Sequence, residues 1–136
     1  PANYAMKKRA GGRSRKSLAS STMIVTGLWL VLFLIIHVRA FRFGDHYELP
    51  NGGNDLYRVE MEQFANPAMV GFYVVSMLVV GLHLWHGVSC SLQSMGIDHP
   101  TWTPRIITGG KILAALIAGA FIVIALWAHF VGGANV

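Results

Sequence analysis

The chain has a single cysteine, Cys90. That excludes a disulfide framework, a CxxC metal knot and the CxxCH motif of covalent cofactor attachment. Charge is scarce as well: 12% of the 136 residues are charged and only six are acidic, five of them between Gly44 and Asn66. No carboxylate pair, no nucleophile beside a base and no metal–thiolate cluster is present, so the sequence offers no catalytic residues for bond-making chemistry. Gly109 and Gly110 lack the GxxxxGK spacing of a phosphate loop. A signal peptide is excluded because the first apolar run is too long and no small-residue cleavage site follows it. The first residue is Pro1 rather than Met, which we read as part of a longer polypeptide in preference to a processed start.

What is abundant is apolar sequence, 54% of the chain. It falls into three runs, 22–43, 67–92 and 106–131, each long enough to cross a hydrocarbon core of ~30 Å at ~1.5 Å per residue. The expectation is an all-α transmembrane helical bundle with three membrane-spanning helices. Between the first two runs, 44–66 is polar and turn-rich (Asp45, Pro50, Asn51, Gly52, Gly53, Asn54) and reads as an exposed loop. The connection 93–105 is short and carries Gly96, Pro100 and Pro104, so the second and third helices are expected as antiparallel neighbours. The net charge of +5 does not point to nucleic acid, since Lys7, Lys8, Arg9, Arg13, Arg15 and Lys16 crowd the segment 1–21. A basic block abutting an apolar span is a juxtamembrane anchor. By the positive-inside rule 1–21 and 93–105 are cytoplasmic, and 44–66 and 132–136 lie on the outer side.

Two histidines lie inside these spans, His37 and His83. An imidazole at bilayer depth is costly unless paired, and its commonest uses there are to hold a haem iron or to relay a proton. His37 lies ~22 Å in from the cytoplasmic face, whereas His83, on a helix running the other way, is only ~6 Å from that face. Ligands of one haem share one depth, so two histidines ~16 Å apart would serve two haems, each with its second ligand from elsewhere. Arg39 and Arg42 are candidates for haem propionates or for snorkelling to headgroups. His86 is a candidate for a propionate or a quinone oxygen, or a packing residue, and Lys111 pairs with a propionate or snorkels. Gly87, one turn beyond His83, would let a flat macrocycle or another helix approach. Ser89, Ser91 and Gln93 are weaker quinone candidates; Trp29 and Trp85 read as packing residues. His129 has roughly the depth of His37, so a His37–His129 pair on one haem stays open, although Trp127 beside it fits an interfacial belt. His46 and His99 read as solvated loop residues.

At the stretches GLHLWHGVSCSLQSMGIDHP, PANYAMKKRAGGRSRKSLASSTMIVTG and LFLIIHVRAFRFG the chain resembles the cytochrome b membrane subunit of succinate dehydrogenases and fumarate reductases, of the single-chain, two-haem kind, and the likeness covers nearly the whole chain. That family has five transmembrane helices with one axial histidine on each of the first four, and this sequence matches helices three to five. The resemblance implies that His37 and His83 are the third- and fourth-helix ligands, His37 to the haem far from the hydrophilic subunits and His83 to the haem near them. His86 falls at a non-ligand position. Helices one and two, with their two histidines and their share of the quinone site, are absent. Also implied are two haems b, menaquinone as substrate, and an iron–sulfur subunit, a flavoprotein subunit and the remaining cytochrome b helices as partners. The setting is respiratory complex II and the tricarboxylic acid cycle, in a bacterial cytoplasmic membrane.

Two other readings stay open. One is a complete three-helix subunit sharing a single haem with a second membrane subunit; the other is a haem-free transporter or proton channel with titrating histidines. The charge pattern generates a direct expectation of orientation. A cysteine introduced as Asn51→Cys should react with a membrane-impermeant reagent in intact cells, and reaction only after permeabilisation would reverse the topology.

Overall fold

The computed structural model describes residues 22–97 and 99–132. The basic block assigned above to the cytoplasm lies outside the described residues. Four helices follow in order: α1 (Met23–Arg42), α2 (Leu56–Ala65), α3 (Pro67–Ser94) and α4 (Trp102–Phe130). Among the described residues there is no strand, only an isolated bridge between Glu48 and Asn54. The protein is an all-α bundle in which α1, α3 and α4 are long and apolar enough to cross a membrane, with mean hydropathies of 2.2, 1.9 and 2.4 over their best windows. Their outward faces carry uncovered Ile24, Leu28, Leu113, Leu116 and Val123. A helix apolar all round belongs in a core or in lipid, and among the described residues nothing covers these side chains.

Local chemistry sets the helix ends. The Asn66 side chain accepts from the Ala68 amide at 2.9 Å, and Pro67, which needs no donor, takes the first helical position of α3. Gly96 adopts φ 68° just past α3, and the Ile97 amide returns to the Leu92 carbonyl at 3.0 Å. This is a left-handed glycine cap closing the last carbonyls. α4 begins at Trp102, earlier than the apolar run suggested. The amides of Thr101 and Trp102 donate to His99 Nδ1 at 3.2 and 3.3 Å, and Pro104 sits in the first turn, where an amide would have no intrahelical partner.

The connection 44–66 differs from the exposed loop read from its composition. Tyr47 and Asp55 pair across a turn at Pro50–Gly52, and α2 follows. Asp55 caps α2 by accepting from the Arg58 amide at 3.1 Å. Val59, Met61 and Phe64 are buried, so α2 lies on the bundle with one apolar face inward. The core of the bundle is at this end: Met61, Phe64, Val70, Tyr73, Ala125 and Ala128 are buried together, with Phe33, Phe41 and Phe72 packed against them.

α3 and α4 pack antiparallel through small residues. Ala114, Ala118, Ala125 and Ala128 lie buried on one face of α4, and a Cβ on Gly81 would come 3.1 Å from that of Ala118. Between apolar helices in lipid, such close approach is where packing energy comes from. The tightest point is Gly110, where a Cβ would meet Val88 Cγ1 at 2.5 Å. Adjacent Gly109 faces open space. Gly110→Ala should therefore destabilise the bundle by about 1–3 kcal/mol through overpacking, while Gly109→Ala is neutral or slightly stabilising. Thermal unfolding of the two variants in detergent should separate them, and equal melting points would refute this packing.

Candidate functional site

On α1, Trp29, Phe33, His37 and Phe41 recur every fourth residue, so they form one stripe. The stripe faces α3. Phe33 stands edge-on to Tyr73 at 5.4 Å and stacks on His37 at 5.5 Å between ring centroids; Phe41 and Phe64 close around Tyr73. Three polar contacts run along the same interface: His37 Nδ1 to the Tyr73 hydroxyl at 3.0 Å, Trp29 Nε1 to Ser76 Oγ at 3.0 Å, and Thr26 Oγ1 to His83 Nδ1 at 3.2 Å. His37 is thus level with Tyr73, and His83 with Thr26. The axial distance from Thr26 to His37 on α1, or from Tyr73 to His83 on α3, is ~15–16 Å, in agreement with the separation inferred from depth alone.

His37 opens onto a cleft of about 560 Å³ whose other walls include Phe33, Phe41, Tyr73, Met77 and Phe121, with Glu60 of α2 at one side. The wall is almost wholly apolar and is roomy enough for a flat, largely hydrophobic ligand. At the other level, Gly27 of α1 lies against the His83 ring, where a Cβ would stand 3.9 Å from Cε1. Open space adjoins Gly87. For both histidines Nδ1 is engaged, while Nε2 makes no hydrogen bond and is not buried. A ring held at Nδ1 with Nε2 outward fits an axial ligand of a haem iron. Among the described residues no group of three or more His, Cys, Asp or Glu could hold a metal ion.

The remaining candidates are dispersed. Arg39 and Arg42 are exposed and do not line the cleft; Arg39, two residues from His37, is turned ~200° from it, and Arg42 lies over Phe43. His86 Nε2 meets Cys90 Sγ at 2.9 Å, one turn on along α3. The Lys111 ammonium sits 5.0 Å over the Trp85 ring. His129 donates from Nδ1 to the Phe64 carbonyl at 2.8 Å. It thereby ties α4 to one of the last carbonyls of α2, and it is not among the cleft residues. His99 is exposed in its loop, as read, and its Nδ1 also accepts from the amides at the start of α4. Tyr73, Thr26 and Ser76 lie at the site and were concealed by the apolar runs; the four-residue recurrence of aromatics around His37 marks the α1 face that meets them but does not name them.

α2 brings Leu56, Glu60 and Phe64 to the cleft and is fastened by surface chemistry. The Tyr47 hydroxyl donates to Glu62 Oε2 at 2.7 Å, Arg58 Nε donates to Glu62 Oε1 at 3.0 Å, and the Arg58 guanidinium lies 3.9 Å over the Tyr47 ring. The hydrogen bonds from Tyr47 and then Arg58 hold the Glu62 carboxyl below its ordinary 4.5. The bond to Glu62 likewise raises the Tyr47 phenol above its ordinary 10.0.

Comparison with family models, with curated proteins and with solved structures finds no match.

Because the Glu62 value is lowered on folding, its contribution to holding α2 is complete above 4.5 and is lost as the pH falls below it. Hydrogen exchange in 44–66, corrected for intrinsic rates, should therefore accelerate over that acid range in the wild type. In Glu62→Gln the segment should exchange faster at neutral pH and lose the acid step. Wild-type exchange that is indifferent to acid would show that this fastening does not hold α2.

Proposed function

We propose that the chain is part of a haem b-binding membrane anchor of a succinate:quinone oxidoreductase, passing electrons between an iron–sulfur subunit and membrane quinone. The observation that carries this reading is the pair of intramembrane histidines. They stand at two levels ~15–16 Å apart, each held at Nδ1 by a hydroxyl of the neighbouring helix with Nε2 outward. The resemblance of the GLHLWHGVSCSLQ and LFLIIHVRAF stretches to the two-haem cytochrome b subunits supports it. Haem, when bound, supplies one-electron transfer.

The chain's own part is to hold, space and shield. His37 and His83 each offer one axial nitrogen, and the second axial ligands come from helices outside this chain. The α1–α3 register would keep the two irons apart, and Phe33, Phe41 and Tyr73 pack around the His37 ring. In this reading His83 serves the level near the flavoprotein and iron–sulfur subunits on the cytoplasmic side of a bacterial membrane, and His37 serves the outer one. Menaquinone is the substrate the two-haem kind implies. Arg39, Arg42 and Lys111 stay available to propionates of haems bound between this chain and its missing partners. His86 is assigned to the surroundings of the inner level, because its Nε2 is taken by Cys90.

A haem-free proton path is the second reading, and the direct phenol–imidazole contact of Tyr73 and His37 inside the cleft is what favours it. A reduced-minus-oxidised visible spectrum of the assembled complex decides. Two b-type haems are expected. His83→Ala should lose or perturb one and His37→Ala the other, since an iron left with one protein ligand suffers in both occupancy and potential. One haem would favour the three-helix, shared-haem subunit and none the proton path, and wild-type spectra in both variants would overturn the ligand assignment.

A further inference from the structure

Thr26 is the one buried residue of α1, and its hydroxyl has two partners. It donates to the Met23 carbonyl on its own helix at 3.1 Å and meets His83 Nδ1 of α3 at 3.2 Å. A threonine hydroxyl has one hydrogen. With that hydrogen committed to Met23, Thr26 can only accept from the imidazole, so His83 carries its proton on Nδ1 and its lone pair on Nε2.

The same chemistry recurs one step along the interface, where the direction is not open to choice. Ser76 Oγ donates to the Phe72 carbonyl at 2.7 Å and accepts from Trp29 Nε1, an indole nitrogen that can only donate. His37 is different. Its partner Tyr73 makes no bond to a carbonyl of its own helix, so the phenol is free to donate to Nδ1 or to accept from it.

We infer that Thr26 is the positioning residue of His83: its back-bonded hydroxyl fixes the imidazole in the Nδ1–H form, with Nε2 preset as a metal ligand. The inference rests on the haem-anchor reading for its consequence and on Thr26 geometry for its cause. A hydrogen bond accepted from Nδ1–H raises the basicity of Nε2, which favours the oxidised metal, and it fixes the ring plane. Threonine suits the task because its β-branch restricts χ1 in a helix and the back-bond selects one of its two rotamers.

The experiment is a redox titration of the complex, with both haems resolved, for wild type, Thr26→Val and Thr26→Ser. Valine keeps the shape and removes the acceptor; serine keeps the acceptor. Thr26→Val should weaken haem affinity at the His83 level about tenfold. It should also shift the reduction equilibrium of that haem toward the reduced form, about tenfold corresponding to ~59 mV for one electron. The haem at the His37 level should be unchanged, and Thr26→Ser should match wild type. Unaltered potential and occupancy in Thr26→Val, or an equal change at both levels, would overturn the inference while leaving the haem reading intact.

Should Thr26→Val fail to assemble, the wild type alone decides. In the reduced, diamagnetic complex the His83 Nδ1 proton should be slow to exchange and shifted as hydrogen-bonded protons are, and free exchange overturns the inference. If the wild type holds no haem, the haem reading fails separately. Nitrogen-15 spectra of the histidines then test Thr26 directly: a proton on Nδ1 of His83 supports its role, and a proton on Nε2 refutes it.

Discussion

The α1–α3 interface is governed by the cost of leaving a polar side chain unpartnered where neither water nor lipid can supply a hydrogen bond. Thr26, Trp29 and His37 on one helix each find a partner on the other. A slip of one residue moves a side chain ~1.5 Å along and ~100° around the helix, which would break all three at once. Individually such bonds in a membrane are worth little. Together they specify one register, and the levels of the two histidines, the closure of the aromatic cluster and the shape of the cleft all follow from it.

The α3–α4 interface solves the complementary problem chiefly through small apolar residues. Gly81, Gly110 and the alanine face of α4 let the two backbones approach, and Val88 fills the space that Gly110 leaves. Tightness here comes from the absence of side chains, whereas α1 is held by their chemistry. α2 joins the two systems at one end: its Phe64 ring packs on Phe41 and Tyr73, and its Phe64 carbonyl accepts from His129 of α4.

The spans were legible because hydropathy over twenty or more residues survives any detail of packing, and the antiparallel α3–α4 pair followed from the shortness of its link. The separation of the histidines was legible too, since rise per residue is fixed by the helix itself. α2 was hidden by the turn residues before it and by its balanced mix of apolar and charged residues. The signals were nonetheless there, in the Asp55 cap and the Arg58–Glu62 pair at i, i+4. Thr26, Ser76 and Tyr73 were illegible as site residues for a different reason. A hydroxyl within an apolar run reads as filler until the opposite helix is in place, because its meaning lies in what stands across from it. Arg39 shows that closeness in sequence does not make a shared face: two residues from His37, it is turned ~200° from it around the helix.

The two ends of α1 are not held alike. Near Arg42 the helix is gripped by Phe41, Phe64 and Tyr73 and roofed by α2. Near Met23 only Thr26 is buried among the described residues, and its neighbours Ile24, Val25 and Leu28 are exposed. Local opening is easiest where buried contacts are fewest, so among the described residues the Arg42 end of α1 is the more firmly packed of its two ends. Among the described residues the His83 level therefore stands at the sparsely covered end of the α1–α3 interface, and the His37 level beside its densest packing.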